Sequence, residues 1–385
     1  MSETMSGRER FFAALRRELP DRVPIWETAV NPRVMQGIMP DTSYADFVEA
    51  MGFDGVLTGT PSSLYRSEVV GEKEGTPLIR TEWGETRAVT AELVPIPIDH
   101  PVKTRRDWER YQIPDAQAPG RLRQLEELIA RFKGKKAVGV HLHDALSYPS
   151  YILGMSELFL KAYEDPDWVH EIIDATVEHN VQMVRRAAAL GAEYVLLGDD
   201  YGAHTGPLMS PRHFEEFFLP GLARVVATAK EAGLYVIKHS DGNVAPILGM
   251  MVEAGIDAFH PSDPSAGMDI VATKRQYGER ICVVGGIDCG DPLCRWPAEE
   301  VVHEVRRRIR QLAPGGGWII ASSNSIHASV RAQNYAAMIW ATRAYGHSDR
   351  LDEYTPVPDL ETSLANLLDE VRYRCCVSID SRRDL

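Results

Sequence analysis

The chain has 385 residues, 44% of them hydrophobic and 25% charged, which is ordinary globular composition. A formal net charge of −13 argues against nucleic acid or an anionic membrane as partner, because both bind basic surfaces. No apolar run is long enough to span a bilayer, and the first residues do not predict a signal peptide. Five loosely spaced cysteines do not form a disulfide framework, so we expect a reduced, cytoplasmic setting.

Eight short apolar runs predict strands, and most of them are separated by helical patterns. The runs are residues 23–27, 55–59, 137–142, 194–198, 234–238, 258–260, 281–287 and 318–321. Continuous apolar runs are typical of parallel strands that are buried on both faces. A (β/α)8 TIM barrel, which is an α/β fold, is the natural closure of such an alternation.

The alternation is interrupted after the second strand. Residues 60 to about 118 carry short β-type runs around Gly71, Gly75 and Gly84, which predict an antiparallel β insertion. At that place it would lie beside the mouth of the barrel and could act as a lid. We expect one barrel domain over residues 1–346 and a C-terminal tail over residues 347–385, with one short helix as an option.

Polar residues follow nearly every predicted strand. They include Glu27, His143, Asp199, Asp200, Tyr201, His239, Asp241, Asn243, Asp288, Cys289, Asn324 and His327. Solvated loops would explain any one of these positions, but the opposite strand ends carry few such groups. A one-sided concentration is what an active site at the C-terminal face of a barrel predicts.

His239 and Asp241 are the strongest metal candidates. Residues two apart in an extended strand point to the same side, and imidazole nitrogen and carboxylate oxygen both suit zinc. A third ligand must come from another strand, and the candidates are Cys289, Glu27 and one of Asp199 and Asp200. The alternative is a hydrogen bond between His239 and Asp241 without a metal.

Asp199 and Asp200 alternate in direction, so we expect one of them to face the pocket. A carboxylate in a partly dry barrel mouth has a raised pKa and can exchange protons near neutrality, whereas a helix cap or an ion pair would be purely structural. His143 and His327 are further candidates for acid–base chemistry or substrate binding. The sequence has no nucleotide-binding glycine motif and no G-x-S-x-G elbow.

Several segments, in this order along the chain, resemble the uroporphyrinogen decarboxylase superfamily. They are residues 8–11 (R-E-R-F), 22–26 (R-V-P-I-W), 198–202 (G-D-D-Y-G), 239–244 (H-S-D-G-N-V), 285–288 (G-G-I-D) and 313–318 (A-P-G-G-G-W). The resemblance covers nearly the whole chain and implies a (β/α)8 barrel. True uroporphyrinogen decarboxylases carry R-Q-A-G-R after the first strand, where residues 27–33 here read E-T-A-V-N-P-R. A substrate with eight carboxylates needs a cationic pocket, so this departure argues against porphyrinogen decarboxylation.

The superfamily's other branch consists of cobalamin-dependent methyltransferases, which usually use zinc. Their thiol-activating members resemble one another in an H-x-C motif and a later cysteine, where this chain has His239, Ser240 and Asp241 and then S-S-N at residues 322–324. A harder nitrogen and oxygen site suits an oxygen donor better than a thiolate. With S-N-S-I-H at residues 323–327, the chain is similar to the methoxy-aromatic O-demethylase type.

This resemblance implies methyl transfer from a small methoxylated substrate, with an aromatic ring as one option, to cobalamin on a separate corrinoid protein. Homodimerisation is a further option. The roles that follow are catalysis by Asp199, Asp200, His327 and Asn324, substrate binding by Glu27, Trp26, His143, Tyr201, Asn243 and Asp288, and zinc binding by His239, Asp241 and Cys289. Two alternatives remain open. One is a decarboxylase for a smaller carboxylate, with Arg33 or Arg331 as anchor, and the other is a barrel that binds a tetrapyrrole or corrinoid without turnover.

Overall fold

A computed structural model describes residues 4–60, 66–351 and 359–380, with side chains described up to residue 371 of the last helix. These residues contain thirteen strands, numbered along the chain: β1 Gly55–Leu57, β2 Glu68–Lys73, β3 Thr76–Arg80, β4 Thr86–Ala88, β5 Ile96–Asp99, β6 Ala137–Leu142, β7 Tyr194–Leu197, β8 Gly202–Ala203, β9 Gly206–Pro207, β10 Tyr235–His239, β11 Ala258–His260, β12 Cys282–Ile287 and β13 Trp318–Ser322. Seven of them form one parallel sheet in the order β1-β6-β7-β10-β11-β12-β13. This α/β arrangement is consistent with a TIM-like barrel, and these seven are the second to eighth predicted strands.

The first predicted strand, residues 23–27, is the exception. Ile25 makes only an isolated parallel bridge to Ile320 of β13, while its carbonyl accepts the N–H of Asp54 at 2.9 Å just before β1. Pro24 has no N–H to donate, and the N–H of Ile25 donates instead to the Asp54 carboxylate at 2.8 Å. The segment therefore lies between β13 and β1 without the regular ladder of a strand, so the prediction of eight regular strands was wrong here.

Helices separate the parallel strands. Those in the described residues are Gly7–Leu15, Pro32–Ile38, Tyr44–Ala50, Arg105–Trp108, Arg123–Phe132, Ser147–Leu153, Met155–Glu164, Pro166–Leu190, Pro211–His213, Leu219–Glu231, Ala245–Glu253, Ile270–Tyr277, Asp291–Arg295, Ala298–Leu312, Ala332–Tyr345 and Leu360–Asp380. A π-helical turn, Phe214–Phe218, joins two of them, and short 3₁₀ turns cover Pro264–Ala266 and Ser348–Arg350. None of these helices combines the length and apolarity needed to cross a membrane.

The helix Gly7–Leu15 closes the N-terminal end of the sheet. It begins at Ser6, whose hydroxyl accepts the N–H of Glu9 while the Glu9 carboxylate accepts the N–H of Ser6. The ring centre of Phe11 lies 5.1 Å from that of Tyr194, the first residue of β7. Phe11 belongs to the same buried cluster as the inward side chains of the strands. Trp26 belongs to this cluster too. The helix and these side chains therefore cover the N-terminal ends of the strands and leave the C-terminal ends open.

The insertion forms a sheet of its own, in which β2, β3, β4 and β5 pair antiparallel in sequence order. The prediction of an antiparallel β insertion after the second strand is confirmed. Its strands pair only with one another. Hydrogen bonds outside these strands join the insertion to the rest of the chain, including one from the N–H of Val102 to the carbonyl of Ile152 at 3.1 Å and one from Nδ1 of His100 to the carbonyl of Tyr151 at 3.0 Å.

The predicted tail contains the helix Leu360–Asp380, which spans 21 residues. Leu360, Leu364, Leu367 and Val371 recur on one helical face, are all at most 6% exposed, and belong to the main hydrophobic core. This helix is longer than the short one considered above and packs against the barrel core. The division between a barrel and a tail stays a prediction.

Candidate functional site

A cavity of about 810 Å³ opens at the C-terminal ends of the parallel strands. Its barrel wall includes His141, His143, Gly198, Asp200, His239, Asp241 and Asn324. Its other wall comes from the insertion, including Glu85, Arg87, Leu93, Val94, Pro95 and Pro97. The pocket lies where the strand-end residues indicated, and the insertion lies beside it. The volume suits a small molecule.

Asp200, His239 and Asp241 meet in this cavity. The Nε2 atom of His239 lies 3.4 Å from Oδ1 of Asp200 and 3.5 Å from Oδ1 of Asp241. One ligand atom from each residue lies within 4.8 Å of the other two. His239 and Asp241 were predicted from the sequence as metal ligands, and Asp200 was one of the candidates for the third ligand.

Two loops bring these carboxylates together by packing backbone against backbone. A Cβ atom on Gly202 would lie 2.4 Å from the carbonyl oxygen of Asp241, and Gly242 has a φ of +76° and faces Gly202 equally closely. Only glycine permits such contact and such a backbone conformation. As a result the loops after β7 and β10 touch, and the N–H of Asp241 donates to Asp200 Oδ1 at 2.9 Å.

The tautomer of His239 is fixed by a second histidine. Nε2 of His260 is 3.0 Å from the carbonyl oxygen of Ser322, which can only accept, so this nitrogen carries the proton. Burial, followed by the neighbouring His239, lowers the pKa of His260 to about 3, which keeps the ring neutral. Its Nδ1 is therefore an acceptor, and Nδ1 of His239 donates to it at 2.7 Å. The remaining nitrogen of His239, Nε2, then faces the two carboxylates.

This geometry favours a positive charge at Nε2 of His239. Burial alone would lower the pKa of His239, but the carboxylates of Asp241 and Asp200 outweigh it and raise that pKa. Oδ2 of Asp241 accepts from Asn324 at 2.5 Å, whereas its Oδ1 is buried without a hydrogen-bond partner among the described residues. A proton or a metal cation would satisfy this group.

The spacing also fits zinc. Two ligand atoms each about 2.05 Å from a zinc ion at a tetrahedral angle are about 3.3 Å apart. The nitrogen–oxygen distances of 3.4 and 3.5 Å at His239 are close to that value. Together with one imidazole, two carboxylates and an unsatisfied buried oxygen, they make a donor set that suits a divalent cation with an open position.

Asp199 faces away from this group. Its Oδ2 accepts from the N–H groups of Leu146 at 2.6 Å, Asp144 at 3.2 Å and Ser147 at 3.2 Å, at the start of the helix Ser147–Leu153. Burial opposes ionisation, but the hydrogen bond from His143 and these contacts hold the pKa of Asp199 well below its usual range. An ionised carboxylate held in this way is a poor proton donor, so the geometry favours a positioning role over the catalytic one assigned from sequence.

Asp199 orients His143 towards the cavity. Oδ1 of Asp199 lies 2.8 Å from Nδ1 of His143, and Nε2 of His143 lies 3.3 Å from the hydroxyl of Tyr151. Burial raises the pKa of Tyr151 to about 12, so this hydroxyl keeps its proton at neutral pH. The neighbouring His141 has its ring 5.7 Å from that of His143, and its Nε2 is buried without a partner among the described residues. The three groups line the same cavity as the carboxylates of Asp200 and Asp241.

Besides Asp199, seven residues assigned from sequence lie outside the cavity lining: Trp26, Glu27, Tyr201, Asn243, Asp288, Cys289 and His327. The Trp26 indole donates to Tyr194 at 2.9 Å, and Tyr201 is fully buried with its hydroxyl on Asp144. The prediction that these two rings pack against a substrate was wrong, because both fill the protein interior.

The others of these seven serve local structure. Glu27 accepts the N–H and hydroxyl of Ser322, and burial raises its pKa to about 8. The side-chain oxygen of Asn243 accepts from Ala245 at 3.1 Å, and that of Asp288 accepts from Gly290 at 2.8 Å. Cys289 lies 3.5 Å from the Ser323 hydroxyl, outside the group of possible ligands, and His327 donates to the Cys289 carbonyl at 3.2 Å.

Sequence reasoning did not select Lys238, Glu85 or Arg87. It considered Tyr151 only as a ring that could pack against an aromatic substrate, and His260 only as a polar residue at a strand end. Lys238 is fully buried, with its ammonium 2.8 Å from Asp144 and 2.8 Å from the carbonyl of Asp199. A charged residue inside a buried strand was a signal that could have identified it. The acid–base pair at positions 85 and 87 looked like an ordinary surface strand.

Comparisons with known proteins agree with this architecture. A family model described as "Uroporphyrinogen decarboxylase (URO-D)" matches residues 89–345. A uroporphyrinogen decarboxylase from Alkalilimnicola ehrlichii is 21% identical over 86% of this chain and 92% of its own length, and one from Anaeromyxobacter dehalogenans is 23% identical over 88% and 99%. A methyltransferase from Methanosarcina mazei has a similar structure, with a TM-score of 0.67 and 17% identity over 88% of this chain and 99% of that chain.

The fold and the one-sided cavity are those of a barrel-type enzyme. The chain belongs to the uroporphyrinogen decarboxylase family, a family of enzymes. The likeness to the methyltransferase supports the fold alone, because its sequence identity is low.

Proposed function

We propose that this protein transfers the methyl group of a small methoxylated compound to a corrinoid held by a partner protein. This proposal rests on the group of Asp200, His239 and Asp241 in the cavity, in which the free nitrogen of His239 faces both carboxylates. Zinc would be held by these three residues. An imidazole and two carboxylates are harder ligands than cysteine thiolates, so they suit an oxygen-linked methyl group better than a thiol.

The reaction balances as a displacement at carbon. The bond between the ether oxygen and the methyl carbon breaks, its electron pair stays on oxygen, and cobalt(I) of the corrinoid supplies the pair that forms the new bond to carbon. An alkoxide or phenoxide is a poor leaving group and must be stabilised. A bound zinc ion would act as a Lewis acid for the charge that develops on this oxygen.

The chain's own residues would supply orientation and a proton. Tyr151 keeps its proton and, with His143 held by Asp199, could donate that proton to the leaving oxygen within the same cavity. Asn324 holds Asp241 through the bond to its Oδ2. The insertion lines one side of the cavity and would shield that side of a bound substrate from water.

Porphyrinogen decarboxylation fits this cavity poorly. Among the described lining residues, Arg87 is the one arginine, and it is paired with Glu85. Eight substrate carboxylates would need several such groups. A small donor agrees better with the charge and the volume.

The test measures zinc content and methyl transfer together. Wild-type protein should carry near-stoichiometric zinc and form methylcobalamin from cob(I)alamin and one member of a panel of methoxy compounds, with loss of activity after chelation. Asp241→Ala should lose both properties, whereas Asp269→Ala, at the start of the helix Ile270–Tyr277 and outside the cavity lining, should keep them. Full methyl transfer by zinc-free protein would overturn the role of the metal, and no transfer with any methoxy donor would overturn the function.

Decarboxylation of a smaller carboxylate is the second candidate. The names of the curated relatives favour it. Arg331, one of the anchors considered from sequence, donates to the carbonyl of Trp296 at 3.3 Å and is outside the cavity lining, as is Arg33. Arg87 would have to take that role. Release of carbon dioxide from small carboxylates, without formation of methylcobalamin, would identify this reaction.

A further inference from the structure

The inner face of the insertion carries a buried ion pair that the chemistry above does not use. Glu85 is fully buried and Arg87 is 5% exposed, and the two side chains pair inside the cavity wall. Arg87 lies in β4 and Glu85 directly precedes that strand. Residues two apart in an extended segment point to the same side, and both side chains line the cavity. A surface strand would instead leave such charges in water.

Arg87 is held in place and yet incompletely satisfied. Its guanidinium carbon lies 4.3 Å from the centre of the Tyr151 ring, and Glu85 pairs with one of its terminal nitrogens. Nε of Arg87 and both carboxylate oxygens of Glu85 are buried and, beyond the ion pair, have no hydrogen-bond partner among the described residues. Leaving an N–H donor of a charged group unpaired in a buried site is unfavourable, so an acceptor is missing from this place.

We propose that Arg87 anchors a carboxylate of the substrate, at the end of the molecule remote from Asp200, His239 and Asp241. A guanidinium stays protonated at all physiological pH values, and its planar set of donors matches a carboxylate. Tyr151 lies between the two regions, with its ring under Arg87 and its hydroxyl next to His143. The substrate class is then a methoxylated carboxylic acid, an assignment that rests on the proposed function only for the methoxy group.

Glu85 would both position the guanidinium of Arg87 and weaken anion binding. It fixes the guanidinium before the ligand arrives, and its own negative charge opposes the incoming carboxylate. Burial raises the pKa of Glu85, although Arg87 acts in the other direction. Removing the charge of Glu85 should therefore strengthen anion binding, whereas removing Arg87 should weaken it. A pair that merely latched the insertion to the barrel would give no such opposite signs.

The experiment is calorimetric titration of the full chain, zinc-loaded and chelator-treated, with 4-methoxybenzoate, methoxyacetate and the amide of each. At least one carboxylate should bind, and at least about tenfold tighter than its amide. Arg87→Gln should weaken that carboxylate about 10- to 100-fold and leave the amide unchanged, as expected for a hydrogen bond to a charged group. Glu85→Gln should tighten it about fivefold, and Arg80→Gln, on the half-exposed side chain of β3, should change nothing.

The double variant Glu85→Gln, Arg87→Gln guards against a folding defect, because it leaves no buried charge without a partner. It should fold and bind carboxylate and amide equally. Equal binding of the two classes by wild-type protein, binding of neither carboxylate, or equal weakening by Glu85→Gln and Arg87→Gln would overturn the proposal. Carboxylate selectivity that survives in protein inactive in methyl transfer would leave the anchor standing while the proposed function fails.

Discussion

His260 offers a direct test of how the cavity would hold a metal, because it touches the metal group only through His239. His260→Leu removes the acceptor for Nδ1 of His239, now 2.7 Å away, at similar side-chain volume. His239 can then carry its proton on either nitrogen, and the tautomer with a free Nε2 is no longer selected. Loss of such an outer contact lowers metal affinity about 10- to 100-fold, or about 1.4 to 2.8 kcal/mol.

Zinc affinity of wild type and His260→Leu would be measured by competition with a chromogenic chelator at pH 7. His327→Leu serves as the matched control, because it removes a half-buried imidazole outside the metal group. Wild-type affinity in His260→Leu, or an equal loss in His327→Leu, would refute the reasoning. Urea unfolding of each apo-protein separates a loss of affinity from a loss of fold.

Three further predictions concern stability. The pKa of Glu27 rises from 4.5 to about 8 on folding, so the contribution of this residue to the free energy of unfolding should fall by about 1.4 kcal/mol per pH unit across that window. In urea unfolding, Glu27→Gln should therefore gain stability relative to wild type as the pH rises through this window, while the exposed control Glu72→Gln gains none. Asp199→Asn should lower the free energy of unfolding by about 1–3 kcal/mol at pH 7. A carboxylate with a lowered pKa stabilises the folded state above its unfolded pKa, and this contribution vanishes as the pH falls through its folded pKa. Equal stability of variant and wild type at pH 7 would contradict this. Lys238→Met leaves the Asp144 carboxylate buried without its partner and should cost about 3–5 kcal/mol in thermal unfolding, with partial recovery when Asp144→Asn is added; no recovery would mean that this pair is not the cause.

The seven parallel strands could be read from the sequence because their signal is local. Each is a run of apolar side chains, and packing on both faces demands that pattern. The first segment carries the same local pattern, but the N–H of Ile25 donates to the distant Asp54 carboxylate. No local rule reveals this competition, so the irregular segment appeared only in the structure.

Part of the candidate site could likewise be predicted from the sequence, and part could not. That His239 and Asp241 point to one side follows from strand geometry, and a cavity at the strand ends follows from topology. Which of Asp199 and Asp200 enters the cavity depends on the helix Ser147–Leu153, whose first N–H groups bind Asp199. The ring contact between His239 and His260 crosses two strands and leaves no trace in residue spacing.

The proposed carboxylate anchor and the proposed metal site lie in separate segments of the chain. Asp200, His239 and Asp241 lie at the ends of strands of the parallel sheet, whereas Arg87 lies in β4, and Glu85 directly before it, in a sheet whose strands pair only with one another. Exchanging residues 68–99 for another sequence would break no hydrogen bond of the parallel sheet. Substrate preference could thus diverge among descendants of this chain through one contiguous stretch, while the chemistry at the strand ends is inherited unchanged.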